Sequence, residues 1–160
     1  MTKKTVQARS RVIGVDIHPS CFSASAFSGK NIQESKHLWS HDKVDMDRLP
    51  SWAKRHLQAS DIVVMESGNS SFECCKVLRE LGYRSVVLES YSVGRIGDSH
   101  LKNDIVDSMK IAQVYLSGLA KEVWQPDEAC RERREVLAIY QRATRDSSRT
   151  QNRLSGWATQ

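Results

Sequence analysis

At 160 residues, with 39% hydrophobic and 27% charged residues, 8 Gly and 3 Pro, the chain is sized for one domain or one domain with an appendage. This composition excludes collagen, low-complexity disorder and a coiled coil from end to end. No apolar stretch nears the roughly 20 residues of a membrane span, and the opening MTKKTVQARSR lacks the apolar run of a secretion signal. Cys21, Cys74, Cys75 and Cys130 have no zinc-like spacing, and adjacent Cys74 and Cys75 are badly placed to bridge each other. The cysteines therefore indicate a reduced, cytoplasmic chain. The formal net charge of +5 is uneven: residues 1–11 carry four bases and no acid, 131–160 carry seven Arg against three acids, and 12–130 are mildly acidic. Basic ends around an acidic body suggest a polyanionic partner.

In chain order, Val12–Val15 is a short apolar run ending in Asp16, and His18-Pro19-Ser20 supplies a turn. Cys21 to Phe27 pairs back as a second strand, and Ile32 to Ser40 is expected to form a third. Met46 to Gln58 reads as a helix with Pro50 near its first turn. Ile62–Met65 is a buried strand ending in Glu66. Phe72 to Leu81 is a helix stopped by Gly82, and Ser85–Leu88 is another buried strand, ending in Glu89. Residues 93–100 read as a loop, Asn103 to Leu116 as a helix, and Pro126 opens a last long helix. Antiparallel strands first and βαβ units afterwards predict an α/β fold with a mixed sheet and helices on its faces. The expected divisions are a basic tail over 1–11, an α/β domain over 12–125 and an Arg-rich helix over 126–160.

Four carboxylates carry the chemistry. Asp16 and Glu66 each follow an apolar strand of similar length, VIGV-D and IVVM-E. In parallel neighbours they emerge together at the C-terminal edge of the sheet, where open α/β sheets place their sites. Asp104 and Asp107, three apart, share a helical face. Ile105, Met109, Ala112 and Leu116 form the expected core stripe of that helix, yet Ile111, Val114 and Tyr115 lie on the Asp side. Carboxylates seated among apolar groups raise each other's pKa unless a cation neutralises them. Four converging acids point to a hard divalent ion with oxygen ligands, Mg²⁺ or Mn²⁺, able to serve phosphodiester chemistry. Taken singly, each Asp is an ordinary turn former or an early-turn acid facing the helix dipole. Glu89 is the rival fifth member. His18, two residues past Asp16, is read as a turn histidine, with proximity to the ions as the alternative. Lys102 is a candidate phosphate contact, set against an ordinary surface lysine. Trp39, Trp52 and Trp124 read as core or domain-edge packing, and Cys74 and Cys75 as small hydrophobes.

VIGVDIH, VVMESGNS, VVLES…VGRIG and KNDIVDSMKIAQVYLSGL occur in this order and resemble the N-terminal domain of the insertion sequence 110 (DEDD-type) transposases, a family that includes the pilin-gene invertase. The segment from Glu122 to Leu154 resembles the family's following Arg-rich helix. The resemblance implies a RuvC-like, ribonuclease H-like fold with an acidic tetrad at Asp16, Glu66, Asp104 and Asp107. It also implies Mg²⁺-dependent excision and insertion of DNA, a serine nucleophile in a separate C-terminal domain absent here, and in some members a structured guide RNA. The chain is then expected to be an incomplete fragment, inactive in recombination alone. Two local departures are Glu66-Ser67-Gly68, where many members have E-x-x-G, and Asn103, where many have threonine.

From Pro126 to about Gly156 the last helix would run roughly 45 Å. Steps of 100° align Arg131, Arg134, Arg142, Arg145, Arg149 and Arg153 in one stripe, with only Glu135 and Asp146 nearby. Opposite lie Val136, Tyr140, Ala143, Ser147, Thr150 and Leu154, a heptad-like seam. The stripe is a candidate phosphate-backbone contact rather than a merely solvated face. The seam predicts helix pairing, either between protomers or with another part of the chain. Three other functions compete: a stand-alone nuclease acting on branched DNA, an actin-like sugar kinase, and a non-catalytic nucleic-acid-binding module.

Overall fold

The computed structural model describes residues 11–68, 70–90 and 103–158, and the chain divides into two compact units, 1–124 and 125–160. The first unit carries β1 (Arg11–Ile17), β2 (Cys21–Ser28) and β3 (Lys36–Asp45), then α1 (Leu49–His56). It continues through β4 (Ile62–Glu66), α2 (Ser71–Glu80), β5 (Arg84–Leu88) and α3 (Asp104–Leu116). The sheet order is β3-β2-β1-β4-β5. β1 pairs antiparallel with β2, and β2 with β3, whereas β4 and β5 run parallel to β1. This is the mixed sheet expected of hairpins followed by βαβ units.

Strand alternation sends successive side chains to opposite faces, and two cores result. Ile13, Val15, Phe22, Ala24, Ala26, Val63, Met65 and Val87 pack with Trp52, Leu57, Cys75 and Leu78 of the α1–α2 side. Val12, Phe27, Val64, Val86 and Leu88 pack with Ile111, Ala112 and Leu116 of α3. Past Leu88 the chain returns alongside β5, with Glu89 N–H donating to the Lys121 carbonyl at 2.9 Å and Val123 N–H to the Val87 carbonyl at 2.8 Å. Cys74 and Cys75 are buried as small hydrophobes, and burial pushes the Cys74 thiol up to about 12.

Several boundaries move, each for a physical reason. The third strand is Lys36–Asp45, not Ile32–Ser40. Asn31 closes a turn by accepting from Glu34 N–H at 3.0 Å, and an exposed edge strand has little hydrophobic alternation to reveal it. The Met46–Gln58 helix is a short 3₁₀ turn, Met46–Arg48, followed by α1, and ends where Leu57 becomes extended. α1 docks on the sheet edge through Trp52, whose Nε1–H donates to His41 Nδ1 at 2.9 Å, with Trp39 stacked on His41 and His56 edge-on to it. Trp124, by contrast, is 64% exposed. Arg11, counted above with the basic tail, opens β1. Its guanidinium forks onto the fully buried carboxylate of Asp61 and also donates to the His56 carbonyl. Asp61 accepts from Gln58 N–H as well, so this ion pair is a structural staple and not a polyanion contact. Residues 1–10, the 93–100 loop and Lys102 lie outside the described residues.

The second unit holds α4 (Glu128–Ala158), about 46 Å of continuous helix at 1.5 Å per residue. No helix among the described residues is long and apolar enough to cross a membrane.

Candidate metal centre

β1 and β4 are parallel neighbours in register up to Val15–Met65, so Asp16 and Glu66 sit one step further on at the same sheet edge. Val15 and Met65 belong to the α1–α2 core. Alternation therefore sends Asp16 and Glu66 to the other face, under α3. How α3 arrives there depends on Gly14. A Cβ on that residue would meet Ser108 O at 2.0 Å and Ala112 N at 2.7 Å, so the helix backbone rides directly on the glycine. The closest-approach line is consequently Ser108–Ala112. This corrects the expected stripe: Ser108, Ile111, Ala112, Val114 and Leu116 are buried, whereas Ile105 and Met109 are only half-buried. The Asp-bearing flank is packed, as Ile111 and Val114 on the acid side had indicated.

A chain of hydroxyls ties α3 to the sheet beside that contact. Ser108 Oγ–H donates to the Ile105 carbonyl at 2.8 Å, and Ser108 Oγ lies 2.7 Å from Ser25 Oγ. Ser25 Oγ is in turn 2.8 Å from Ser40 Oγ, which is 2.8 Å from His37 Nε2. Each hydroxyl has one proton, so donation to Ile105 sets the direction of the whole chain, from His37 Nε2–H inward. Ser25 and Ser108 are buried and fully partnered. At the helix start Asn103 caps α3, its side chain accepting from Ile105 N–H at 3.1 Å. It thus supplies the capping oxygen that a threonine would.

The result brings Asp16, Asp104 and His18 together, with one ligand-capable atom from each lying within 4.8 Å of the others. His18 Nε2 stands 3.3 Å from Asp16 Oδ2 and 3.5 Å from Asp104 Oδ1. His18 is the residue that sequence reasoning underweighted; its signal was the spacing Asp-x-His at a strand end, which returns the imidazole to the face of the carboxylate. Asp16 is held above the ordinary carboxylate range, first by burial and then by the charges of Asp107, Asp104 and Glu66, with His18 opposing them. The charges of the other three predicted acids thus all bear on Asp16, although only Asp104 joins Asp16 and His18 in the close cluster. Asp107 is the more exposed, and Lys110 Nζ contacts its Oδ1 at 3.1 Å. A cavity of about 280 Å³ opens over Asp16 and Glu66, walled by His18, Pro19, Ser67, Gly68, Ser70 and Ser71. Glu89 also leaves a strand end, but it is not among the groups that raise Asp16. Hard oxygen donors converging on a half-buried acid whose charge is disfavoured suit a divalent cation.

The other candidates lie on α4. Arg131, Arg134, Arg142, Arg145, Arg149 and Arg153 fall within a stripe about 100° wide on a continuous helix. Arg145 Nε–H donates to the Gln141 carbonyl at 3.2 Å. Opposite this stripe the seam residues Val136, Tyr140 and Leu154 are exposed; Ile139 and Trp157, also exposed, lie about a quarter-turn from the stripe, between it and the seam.

Among solved structures the chain resembles RuvC of Thermus thermophilus, at 12% identity and a TM-score of 0.50, covering 71% of this chain and 99% of that one. It also resembles T. thermophilus RuvC in complex with a Holliday junction substrate, at 13% identity and 0.47, covering 71% and 99%. A third match is the Fowlpox virus resolvase in complex with Holliday junction DNA, at 16% identity and 0.48, covering 69% and 99%. None of the curated proteins compared with the chain matches it significantly. The first of these likenesses is one of fold, RuvC-like and ribonuclease H-like. A family model described as transposase, that of the DEDD transposases of insertion sequence 110, matches residues 13–160. With nearly the whole sequence matched and a RuvC-like sheet beneath it, the chain belongs to the insertion sequence 110 family of DEDD transposases.

Proposed function

We propose that the first unit is the metal-binding catalytic domain of a DNA transposase and recombinase, with Asp16, Glu66, Asp104 and Asp107 as ligands of Mg²⁺ or Mn²⁺. One observation carries this reading: Asp16 and Asp104, 88 positions apart in the sequence, have carboxylate oxygens within 4.8 Å of each other, and the charges of Glu66 and Asp107 bear on Asp16. Bound there, the cation would activate a nucleophile and stabilise the leaving oxygen of a phosphodiester. The burial and neighbouring charges that raise Asp16 disfavour its anion, and a bound cation would relieve that cost. The Ser108–Ser25 bond and the Asn103 cap hold the first turn of α3 so that Asp104 and Asp107 meet the strand-borne acids without reorganisation. In this reading the attacking group is a serine of a separate domain, and the acids of the first unit serve the cation that assists it.

In the same reading the Arg stripe of α4, with Lys102, holds phosphate backbones of DNA and of a structured guide RNA. The apolar seam pairs α4 with a second copy. The chain works in the cytoplasm in this reading, which its four free cysteines support. Calorimetric titration of the full chain with MgCl₂ and MnCl₂ tests the centre. Wild type should bind, and Asp16→Asn and Asp107→Asn should each lose most of that binding; a wild type that takes up neither ion sinks the reading in favour of a non-catalytic nucleic-acid module. Metal-dependent cleavage of branched DNA by this chain alone would favour the stand-alone nuclease.

A further inference from the structure

The imidazole beside the acids is placed by the same alternation that places Asp16. Ile17 packs toward the α1–α2 core, which returns His18 to the α3 face. Its backbone is fixed, since His18 N–H donates to the Cys21 carbonyl at 2.8 Å and Pro19 follows in the turn. The ring is 43% exposed along one side, yet Nε2 itself is inaccessible to solvent and makes no hydrogen bond among the described residues. It faces two carboxylate oxygens at 3.3 and 3.5 Å instead. A buried polar atom without a partner is costly. An imidazolium paired with these acids would direct an N–H at one of the oxygens, and neither contact has that geometry. Donors on adjacent corners of an octahedral shell lie about 3 Å apart, close to the spacing of these three atoms.

We propose that His18 contributes its Nε2 as a nitrogen donor at the Asp16–Asp104 corner of the centre, and that this donor makes the site favour Mn²⁺ over Mg²⁺. The inference rests on the proposed metal centre and names the cation it selects. Mg²⁺ is hard, keeps its waters and takes oxygen donors, whereas imidazole suits the borderline first-row ions. An all-carboxylate centre would discriminate little between the two. His18 is thereby a specificity-determining residue rather than a turn histidine.

The test is titration of the full chain with MnCl₂ or MgCl₂ alone, together with pulsed electron paramagnetic resonance of the bound Mn²⁺. Wild type should show coupling to a ring nitrogen. In His18→Asn, which keeps a polar side chain but removes the imidazole, that coupling should vanish. Its Mn²⁺ affinity should fall about 10-fold or more while Mg²⁺ affinity stays within about 2-fold. A wild-type Mn²⁺ spectrum without nitrogen coupling, or an unchanged Mn²⁺/Mg²⁺ ratio in His18→Asn, overturns the proposal. Asp16→Asn separates the two levels. If it abolishes binding of both ions while His18→Asn changes nothing, the centre stands and the nitrogen donor falls. If wild type binds neither ion, the centre itself has failed.

Discussion

The sheet unit and the long helix solve opposite problems. In the sheet unit, buried polar groups are neutralised from within: Asp61 by Arg11, Ser108 by Ser25. In α4 the residues from Glu132 to Trp157 are exposed, and its Arg stripe and apolar seam have their chemistry on the outside. The centre at Asp16 belongs to neither type. Its charges are gathered by packing and, among the described residues, are met only by His18 and Lys110. Incomplete neutralisation inside an otherwise satisfied unit marks the place where a cation is wanted. On α4 the exposed stripe and seam are the surfaces proposed above for partners.

Substitutions can break that contrast, and the largest effect is expected at the staple. Asp61→Ala leaves the Arg11 guanidinium buried without its carboxylate and should cost about 3–5 kcal/mol in denaturant unfolding, with cation affinity of the folded protein unchanged. Gly14→Ala comes next. Its methyl group would collide with helix backbone, not with a flexible side chain, so we expect about 3 kcal/mol of destabilisation and, unlike the staple variant, weakened cation binding as Asp104 shifts. Retained affinity in Gly14→Ala would show that the ridden glycine does not position the acids.

A smaller and opposite effect is expected at the centre. Asp16 holds its proton to higher pH in the folded chain than in the unfolded one. Between the ordinary carboxylate range and that raised value the folded state binds more protons, so stability conferred by this group falls as pH rises through the window. Asp16→Asn should therefore raise the melting temperature of the metal-free protein at neutral pH and flatten its pH dependence within that window, while abolishing cation binding. An unchanged or lowered melting temperature would deny that the site stores unfavourable charge. The smallest stability change is expected on α4. Arg142→Ala, Arg145→Ala and Arg149→Ala combined should leave unfolding nearly unaltered but reduce the slope of log affinity for duplex DNA against log salt by about 2–3. An unaltered slope would remove the stripe from the nucleic-acid interface.

The residues themselves determined a good deal. Apolar runs closed by acids marked both VIGV-D and IVVM-E, the hairpin turn at His18-Pro19-Ser20 was legible, and a 100° step aligned the Arg residues of α4. These are local periodicities, and local periodicity survives in one dimension. Folding alone decided which side of α3 faces the sheet, because that choice depended on a glycine 94 positions earlier and on serines whose hydroxyls read as surface polarity until they found one another. It also decided that β3 begins at Lys36, since an edge strand shows water too much of itself to alternate. And it brought His18 against Asp104 as well as Asp16: the Asp-x-His spacing hinted at the first contact, but proximity between a strand end and a helix start is created by packing.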